Sequence, residues 1–241
     1  MNSMLKIRLE KIWFSLTHPK CWSALKKGVV PSVEHLSILR GIDFDLLLDV
    51  GANRGQFSLM ARMLYPRLQI HSYEPQAGEA SFYRDIFHGR DGISLHVHAL
   101  GDGSGRADLH MSGRADSSSM LPIGALQTKI FPNTREIGTC SIEVRTLDSL
   151  PEHWKSAKRA MLKIDVQGFE LHVLRGARDA LRHCEFVYVE CSEVPLYTGQ
   201  PLRHEIEAFL LNEGFQIVQR ANALWIDCEV IQADYLFRRK I

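Results

Sequence analysis

Short apolar runs alternate with amphipathic segments along most of the chain. The first run, Asp45–Val50, has consecutive hydrophobic residues, which indicates a strand covered on both faces. Phe57, Met60, Ala61 and Leu64 follow at the spacing of one helix face. Strands that alternate with helices in this way predict an α/β fold with a parallel, doubly wound sheet, which binds ligands at the carboxyl ends of its strands.

The same patterns predict the remaining elements. The expected strands are Gln69–Tyr73, Ile93–Leu100, Arg106–Met111, Ser141–Leu147, Met161–Val166, Phe186–Glu190 and Phe215–Val218, followed by Ala223–Ile226 or Tyr235–Phe237 in an antiparallel hairpin. The expected helices are Gln76–Phe87, a helix after Gly168 and a helix from Pro201 to Gly214. Residues 1–40 are predicted to form a helical N-terminal extension, and residues 41–241 the main domain.

A polar segment rich in glycine and serine interrupts the alternation between Arg106–Met111 and Ser141–Leu147. It contains the run Ser117–Ser119. A long excursion of this kind in a compact domain is usually functional or mobile. We expect it to form or flank the substrate pocket.

Composition narrows the class of protein. A chain of 241 residues with 45% hydrophobic and 24% charged residues is ordinary for one α/β domain. The chain has 29 Lys and Arg residues and 28 Asp and Glu residues, a formal net charge of +1. This charge creates no overall electrostatic field that favours binding to nucleic acid or an anionic membrane. Five cysteines without a CxxC pair disfavour a disulfide framework or a structural zinc site, so a cytoplasmic location is the default. The one-sided apolar pattern of residues 5–16 predicts a helix packed on the domain, with peripheral membrane contact as the alternative.

Residues 46–56, LLLDVGANRGQ, combine a strand, the acid Asp49 and a glycine turn. Glu74 stands 23 positions after Gly51 (74 − 51), where a ribose-binding acid is expected. A dinucleotide fingerprint would need glycine at positions 53 and 56, which hold Asn53 and Gln56. The loop therefore argues against NAD or FAD and fits an adenosine ligand without phosphates, such as S-adenosylmethionine. The methionine carboxylate of that ligand suits the backbone N–H groups of residues 53–56.

Four predicted strands end in or beside an acid. These are Asp49, Glu74, Asp165 and Glu190. Because the carboxyl ends of parallel strands meet at one edge of a sheet, the four carboxylates should converge there. Close carboxylates raise one another's pKa and require a ligand, a cation or a proton.

The chain resembles the FkbM-type methyltransferases from about residue 45 to its C-terminus. The matching strings are LLLDVGANRGQFS, SYEP, HALGD, SSSML, VRTLDSL, LKIDVQGFELHVLRGA, YVECSEVPLY and QADYLF, in that order, and LKIDVQGFE is the most specific. The resemblance implies a class I methyltransferase fold, which is a Rossmann-like seven-stranded sheet with the last strand antiparallel. It also implies O-methylation of a hydroxyl on a sugar, a glycolipid or a polyketide, with S-adenosylmethionine as the cofactor.

The resemblance carries over to individual positions of this sequence. It assigns Asp49, Gly51, Asn53 and Gly55 to the cofactor loop, Glu74 to the ribose, and Ala99, Leu100 and Asp102 to the neighbourhood of the adenine. It assigns Asp165, Gly168 and Glu170 to the active-site motif, with Lys163 just before it. The expected partner is a sugar or glycolipid acceptor, with no nucleic acid.

A hydroxyl acceptor must lose its proton as it attacks the methyl group, which requires a general base. Asp165 is the first choice. The other candidates are Glu170, His172, Glu190, Glu193, His96, His98 and His110. A magnesium ion held by Asp165 and Glu190 is a less favoured alternative, because the sequence places no third carboxylate; no residue is assigned as a metal ligand.

Two other functions share the strand–loop–helix start. An NAD-dependent sugar oxidoreductase or epimerase is disfavoured by the glycine spacing and by the lack of a Tyr-x-x-x-Lys pair. A non-catalytic nucleoside-binding protein is disfavoured by the acids, since a protein without catalysis has no reason to keep costly carboxylates together.

Overall fold

A computed structural model describes residues 22–240 of the chain, so the helix predicted over residues 5–16 lies outside the described residues. Residues 22–240 form ten strands in two sheets. The strands are β1 (Leu46–Val50), β2 (Gln69–Tyr73), β3 (Ile93–His96), β4 (Ala99–Leu100), β5 (Gly105–Ser112), β6 (Glu136–Arg145), β7 (Ala160–Ile164), β8 (Cys184–Ser192), β9 (Phe215–Ile226) and β10 (Glu229–Arg239).

The larger sheet has seven strands in the order β3-β2-β1-β7-β8-β10-β9. Strands β1, β2, β3, β7 and β8 pair in parallel, and β10 lies antiparallel between β8 and β9. All residues of β1 and β7 are buried, because helices cover both faces of the sheet there. This confirms the predicted doubly wound, Rossmann-like sheet of a class I methyltransferase fold with its last strand antiparallel.

Eight helices lie within residues 22–240. They are α1 (Trp22–Leu25), α2 (Leu36–Leu39), α3 (Gln56–Leu64), α4 (Ala77–Phe87), α5 (Ala125–Ile130), α6 (Glu170–Arg175), α7 (Arg178–Leu181) and α8 (Arg203–Asn212). Short 3₁₀ turns at Val33–His35, Ala115–Ser117, Leu147–Ser149 and Pro151–His153 connect them. None of the helices within residues 22–240 is long and apolar enough to cross a membrane.

Successive side chains along each strand point to opposite faces of the large sheet, and a separate hydrophobic core lies on each face. Leu47 packs with α2 and α3 on one face, whereas Leu48 packs with α6 and α7 on the other. We call these the α3 face and the α6 face. Ile38 and Leu39 of α2 are buried in the core of the α3 face, so this part of the predicted N-terminal extension packs directly on the main domain.

The structure corrects three predicted strands. Residues 93–100 are not one strand, because β3 ends at His96 and β4 pairs instead with β6 in a small sheet of order β4-β6-β5. The strand predicted at Ser141–Leu147 begins earlier, and Leu147 lies in a 3₁₀ turn. The two short strands predicted within residues 215–226 are one strand, β9, interrupted by irregular register against β10. The separation of β4 from β3 and the early start of β6 depend on pairing between distant segments, which a local pattern does not encode.

Candidate active site

A cavity lies where β1, β2, β4 and β7 end. It encloses about 660 Å³ of empty space, the open solvent at its mouth included. Its wall comes from residues within four stretches, 50–53, 73–76, 109–120 and 165–169, and from Ala99 and Leu100. Six predicted site residues line it, namely Gly51, Asn53, Glu74, Ala99, Leu100 and Asp165.

The glycine loop after β1 is shaped by positive φ angles. Gly51 has φ 76°, and a Cβ there would lie 1.8 Å from the carbonyl oxygen of Asp165. Gly55 has φ 86°, and a Cβ there would meet the rings of Tyr83 and Phe87 at 2.8 and 2.5 Å. Glycine is therefore required at both positions. The contact at Gly51 brings the end of β1 directly against the end of β7.

Glu74 follows β2 and is held by the backbone. Its carboxylate accepts the N–H of Asn53 at 2.9 Å and the N–H of Gln76 at 2.8 Å. Burial raises the pKa of Glu74 to about 7, although these two N–H donors act in the opposite direction. A carboxylate has about four acceptor positions, so Glu74 keeps capacity for two donors from the cavity. A pair of ribose hydroxyls fits this buried acceptor.

An apolar part of the cavity lies beside Glu74. Ala99 and Leu100 of β4 line it together with Phe169 and Met120. These side chains suit one flat, apolar surface of a base. Asp102, which was predicted to lie near the adenine, is exposed and outside the cavity wall. Its position does not fit a direct cofactor contact, because the chain leaves the cavity after Leu100.

Asp49 lies inside the protein rather than in the cavity wall. It is fully buried, accepts a hydrogen bond from Ser58 Oγ at 2.6 Å and pairs with Lys163 Nζ at 3.1 Å. The predicted role of Asp49 as a direct cofactor ligand does not fit this position, because odd residues of β1 point to the α3 face. Asp49 instead positions Lys163.

Lys163 links the buried carboxylate of Asp49 to the glycine loop. Its ammonium group donates to the carbonyl oxygen of Gly51 at 3.0 Å and lies 3.8 Å from Asp165 Oδ2. Burial acts to lower the pKa of Lys163, but the carboxylates of Asp49 and Asp165 outweigh it and hold the pKa above its usual value. Lys163 therefore stays charged and supports the loop rather than accepting a proton.

The backbone N–H groups of the glycine loop are already bonded within the protein. Those of Asn53, Arg54 and Gly55 donate to Glu74, to the Asn53 side chain and to the carbonyl oxygen of Ala52, respectively. These three N–H groups are therefore not free for a methionine carboxylate, and its binding at residues 53–56 stays a prediction for Gln56 alone. The alternating positive φ angles of residues 51, 53 and 55 turn the donors inward.

Gln167 connects the acids on the opposite side of the cavity. Its amide nitrogen donates to Asp165 Oδ1 at 2.8 Å and to Glu190 Oε2 at 3.0 Å. Its amide oxygen lies 3.0 Å from the hydroxyl of Tyr197, which fixes the orientation of the amide. Gln167 has φ 57°, an uncommon value for a residue other than glycine, asparagine or aspartate. One amide group therefore joins the two carboxylates.

Glu190 and Glu170 lie behind the cavity wall. Burial raises the pKa of Glu190 well above its usual value, and the neighbouring carboxylates of Asp165 and Asp234 add to this. Glu170 accepts the N–H groups of Val166 and Gly168 at 3.3 and 2.9 Å, so it shapes the turn after β7. Burial raises the pKa of Glu170 to about 7. Neither predicted catalytic glutamate lines the cavity directly.

The polar excursion contributes one wall of the cavity. Asp116, Ser118, Ser119 and Met120 line the cavity, as expected for a segment that flanks the pocket. Ser119 Oγ donates to the carbonyl oxygen of Gln167 at 2.7 Å and holds the excursion against the turn after β7. Sequence reasoning missed Gln167 itself, although it stands inside the specific LKIDVQGFE string.

The position of each candidate general base relative to the cavity distinguishes Asp165 from the others. Among the described residues, Asp165 is the one predicted base that lines the cavity. Glu193 instead pairs with Arg203 and accepts from Tyr235. His172 stacks on Phe169 behind the wall, with ring centroids 4.0 Å apart.

Comparisons with known proteins give relatives for most of the chain. The family model described as "Methyltransferase FkbM domain" matches residues 49–217. The "2-O-methyltransferase NoeI" of Sinorhizobium fredii (strain NBRC 101917 / NGR234) is 30% identical over 165 residues, which cover 66% of this chain and 68% of that protein. The "31-O-demethyl-FK506 methyltransferase FkbM" of Streptomyces tacrolimicus is 27% identical over 212 residues, which cover 78% of this chain and 79% of that protein.

Solved structures resemble the chain more distantly. The magnesium protoporphyrin IX methyltransferase of Synechocystis PCC 6803 with bound SAH has a TM-score of 0.48 and 10% sequence identity, and the match covers 87% of this chain and 81% of that one. The fold assignment therefore rests on the strand order itself.

Proposed function

Because the chain belongs to the FkbM family of methyltransferases, which use S-adenosylmethionine, we propose that it methylates a hydroxyl of a sugar. The acceptor would be a glycolipid, another glycoconjugate or a secondary metabolite. Both relatives described above carry names that place the methyl group on oxygen. Family membership also decides against the NAD-dependent oxidoreductase.

One observation carries the proposal. Glu74 and Asp165 line the same cavity from opposite sides, and the close approach of Gly51 to the backbone of Asp165 fixes their separation. Glu74 offers a buried acceptor for ribose hydroxyls, and Asp165 offers a carboxylate where a second substrate would meet the cofactor. S-adenosylmethionine supplies a methyl group on a sulfonium centre when it is bound.

The polar groups around Asp165 favour a neutral, hydroxyl-rich acceptor. Among the described residues, those that line the cavity include carboxylates, amides and hydroxyls but no lysine or arginine. A phosphorylated acceptor would bring negative charge to Asp165 and Asp116, and none of the residues within 22–240 that line the cavity is a cation that could bind the phosphate. A sugar hydroxyl can instead donate to these carboxylates and to Ser118.

Asp165 is the residue we assign to proton transfer. Its carboxylate accepts the proton of the acceptor hydroxyl, while Gln167 holds it in orientation and Lys163 keeps a positive charge nearby. Glu190, whose pKa is raised mainly by burial, is joined to Asp165 through the amide of Gln167. Glu170 and Asp49 act through the groups that they position.

We propose that the protein is cytoplasmic and makes at most peripheral contact with a membrane. Among the described residues, Cys140, Cys184, Cys191 and Cys228 are free thiols, which suits a reducing compartment.

The test is incubation of the protein with methyl-labelled S-adenosylmethionine and paired acceptors. Deoxysugar glycolipids are compared with their phosphorylated counterparts and with carboxylate- and amine-bearing analogues. We expect label in the neutral sugars, in an ether that survives mild alkali. Label in an alkali-labile ester, on nitrogen or chiefly in the phosphorylated acceptors would contradict the proposal.

A further inference from the structure

Three histidines form a compact cluster outside the active site. His71 lies on β2, His96 on β3 and His153 in the 3₁₀ turn before β7. Each offers a ring nitrogen within 4.8 Å of the others. Within residues 22–240 this is the one group of histidine, cysteine or acidic side chains whose donor atoms converge in this way.

The cluster is separated from the catalytic acids by the sheet. His71 is in register with Leu48, whereas Ser72 is in register with Asp49. His71 therefore points to the α6 face, and Asp49 points to the α3 face. A ligand bound by the histidines would not contact Asp165 or Glu190.

The nitrogen positions suit a transition-metal ion. His71 Nδ1 and His96 Nε2 are 3.0 Å apart, while two imidazole nitrogens on a tetrahedral zinc ion lie about 3.3–3.4 Å apart, as follows from Zn–N bonds of about 2.0–2.1 Å. The ring centroid of His153 lies 4.5 Å from that of His71 and 4.1 Å from that of His96. The three rings are stacked within 28° of parallel, so they must turn before all three nitrogens face one ion.

The surroundings prepare the imidazoles for this role. All three imidazoles are partly buried. The hydroxyl of Tyr73 lies 2.9 Å from His153 Nδ1, which leaves Nε2 of that ring for an ion. A recess lined by His71 and His153 opens the cluster to solvent.

We propose that His71, His96 and His153 bind a divalent transition-metal ion of the zinc class. Imidazole is the ligand that such ions share, and three imidazoles leave a fourth position for water. The ion cross-links the edge strand β3, its neighbour β2 and the turn before β7. Its role is structural, and it does not depend on methyl transfer.

The test is a titration of the full chain with zinc chloride after removal of metal by a chelator, without cofactor or acceptor. We expect one high-affinity zinc ion per chain. With free zinc at about 100 times Kd, Tm should rise by about 5–10 °C. Loss of one ligand in His153→Gln should weaken binding by at least about tenfold.

His98→Gln is the matched control. The ring centroid of His98 is 6.1 Å from that of His96, and His98 is not one of the three converging donors, so the variant should bind zinc as the wild type does. His71→Gln gives a second ligand variant if His153→Gln does not fold. Stoichiometric binding that persists in a folded ligand variant, or no binding to the wild type, would overturn the proposal.

Discussion

The two sides of the active-site cavity are held in different ways. On the cofactor side, Glu74 is fixed by backbone N–H groups only 21 and 2 positions away in the chain. On the proposed acceptor side, Gln167 is fixed by Ser119, Tyr197 and Glu190, which are 48, 30 and 23 positions away. The first arrangement follows from one short motif, whereas the second requires the whole domain to fold. Cofactor binding and acceptor chemistry should therefore be separable by mutation.

The largest expected effect is on the chemical step. Asp165→Asn keeps the shape of the side chain but removes its basicity, so the single-turnover rate of methyl transfer should fall by about 10²–10⁴. Asp116→Asn changes a carboxylate in the same cavity wall that pairs with Arg114, and it should reduce the rate by less than about tenfold. An Asp165→Asn rate close to wild type would move the role to Glu190.

The contact that joins the two sides can be broken at Gly51. Gly51→Ala places a Cβ against the carbonyl oxygen of Asp165 at a positive φ, and should lower the free energy of unfolding by about 2–5 kcal/mol. Gly78→Ala lies in α4 with open space around it, and should be neutral or stabilising by up to about 1 kcal/mol. Urea unfolding of both variants measures the difference, and equal stabilities would mean that the two strand ends are not in contact.

The contacts that hold the proposed acceptor side can be removed by a substitution at Gln167. Gln167→Ala removes the donor shared by Asp165 and Glu190, so kcat/KM for the acceptor should fall by about 10–100-fold. The acidic limb of the pH–rate profile should move to higher pH, because the carboxylates lose a donor that favours their charged forms. Gln232 donates to Glu190 at 2.8 Å and does not contact Asp165. Gln232→Ala should therefore lower kcat/KM for the acceptor by less than Gln167→Ala does. An unchanged pH–rate profile would mean that Gln167 supports the fold and does not affect the ionisation of the catalytic carboxylate.

The smallest effect expected is a change in the pH dependence of stability. Burial raises the pKa of Glu170 from 4.5 to about 7, so the native state holds this proton more tightly than the unfolded state does. Stability should fall as pH rises from about 4.5 to 7, and Glu170→Gln should remove that part of the slope. The variant should gain about 1–2 kcal/mol relative to wild type between pH 5 and 8 in urea unfolding. A constant difference across that range would contradict the assignment.

The contrast between the two sides also explains what could be predicted from the sequence. The strand order and the positions of Gly51 and Glu74 follow from periodicity and from one local motif. The interior position of Asp49 is set by the parity of β1 and by its partner Lys163, 114 positions away (163 − 49). The bridge made by Gln167 and the cluster of His71, His96 and His153 arise only when distant strands and turns pack together. Spacing along the chain carries no signal for such contacts.

Calorimetric titration of S-adenosylhomocysteine into Glu74→Ala and Asp165→Asn tests the separation of the two sides most directly. Glu74→Ala should weaken binding by about 1.5–3 kcal/mol, the loss of hydrogen bonds to a charged group. Asp165→Asn should stay within about tenfold of wild type, because it acts on the acceptor. Equal losses in the two variants, or unchanged binding in Glu74→Ala, would contradict this account.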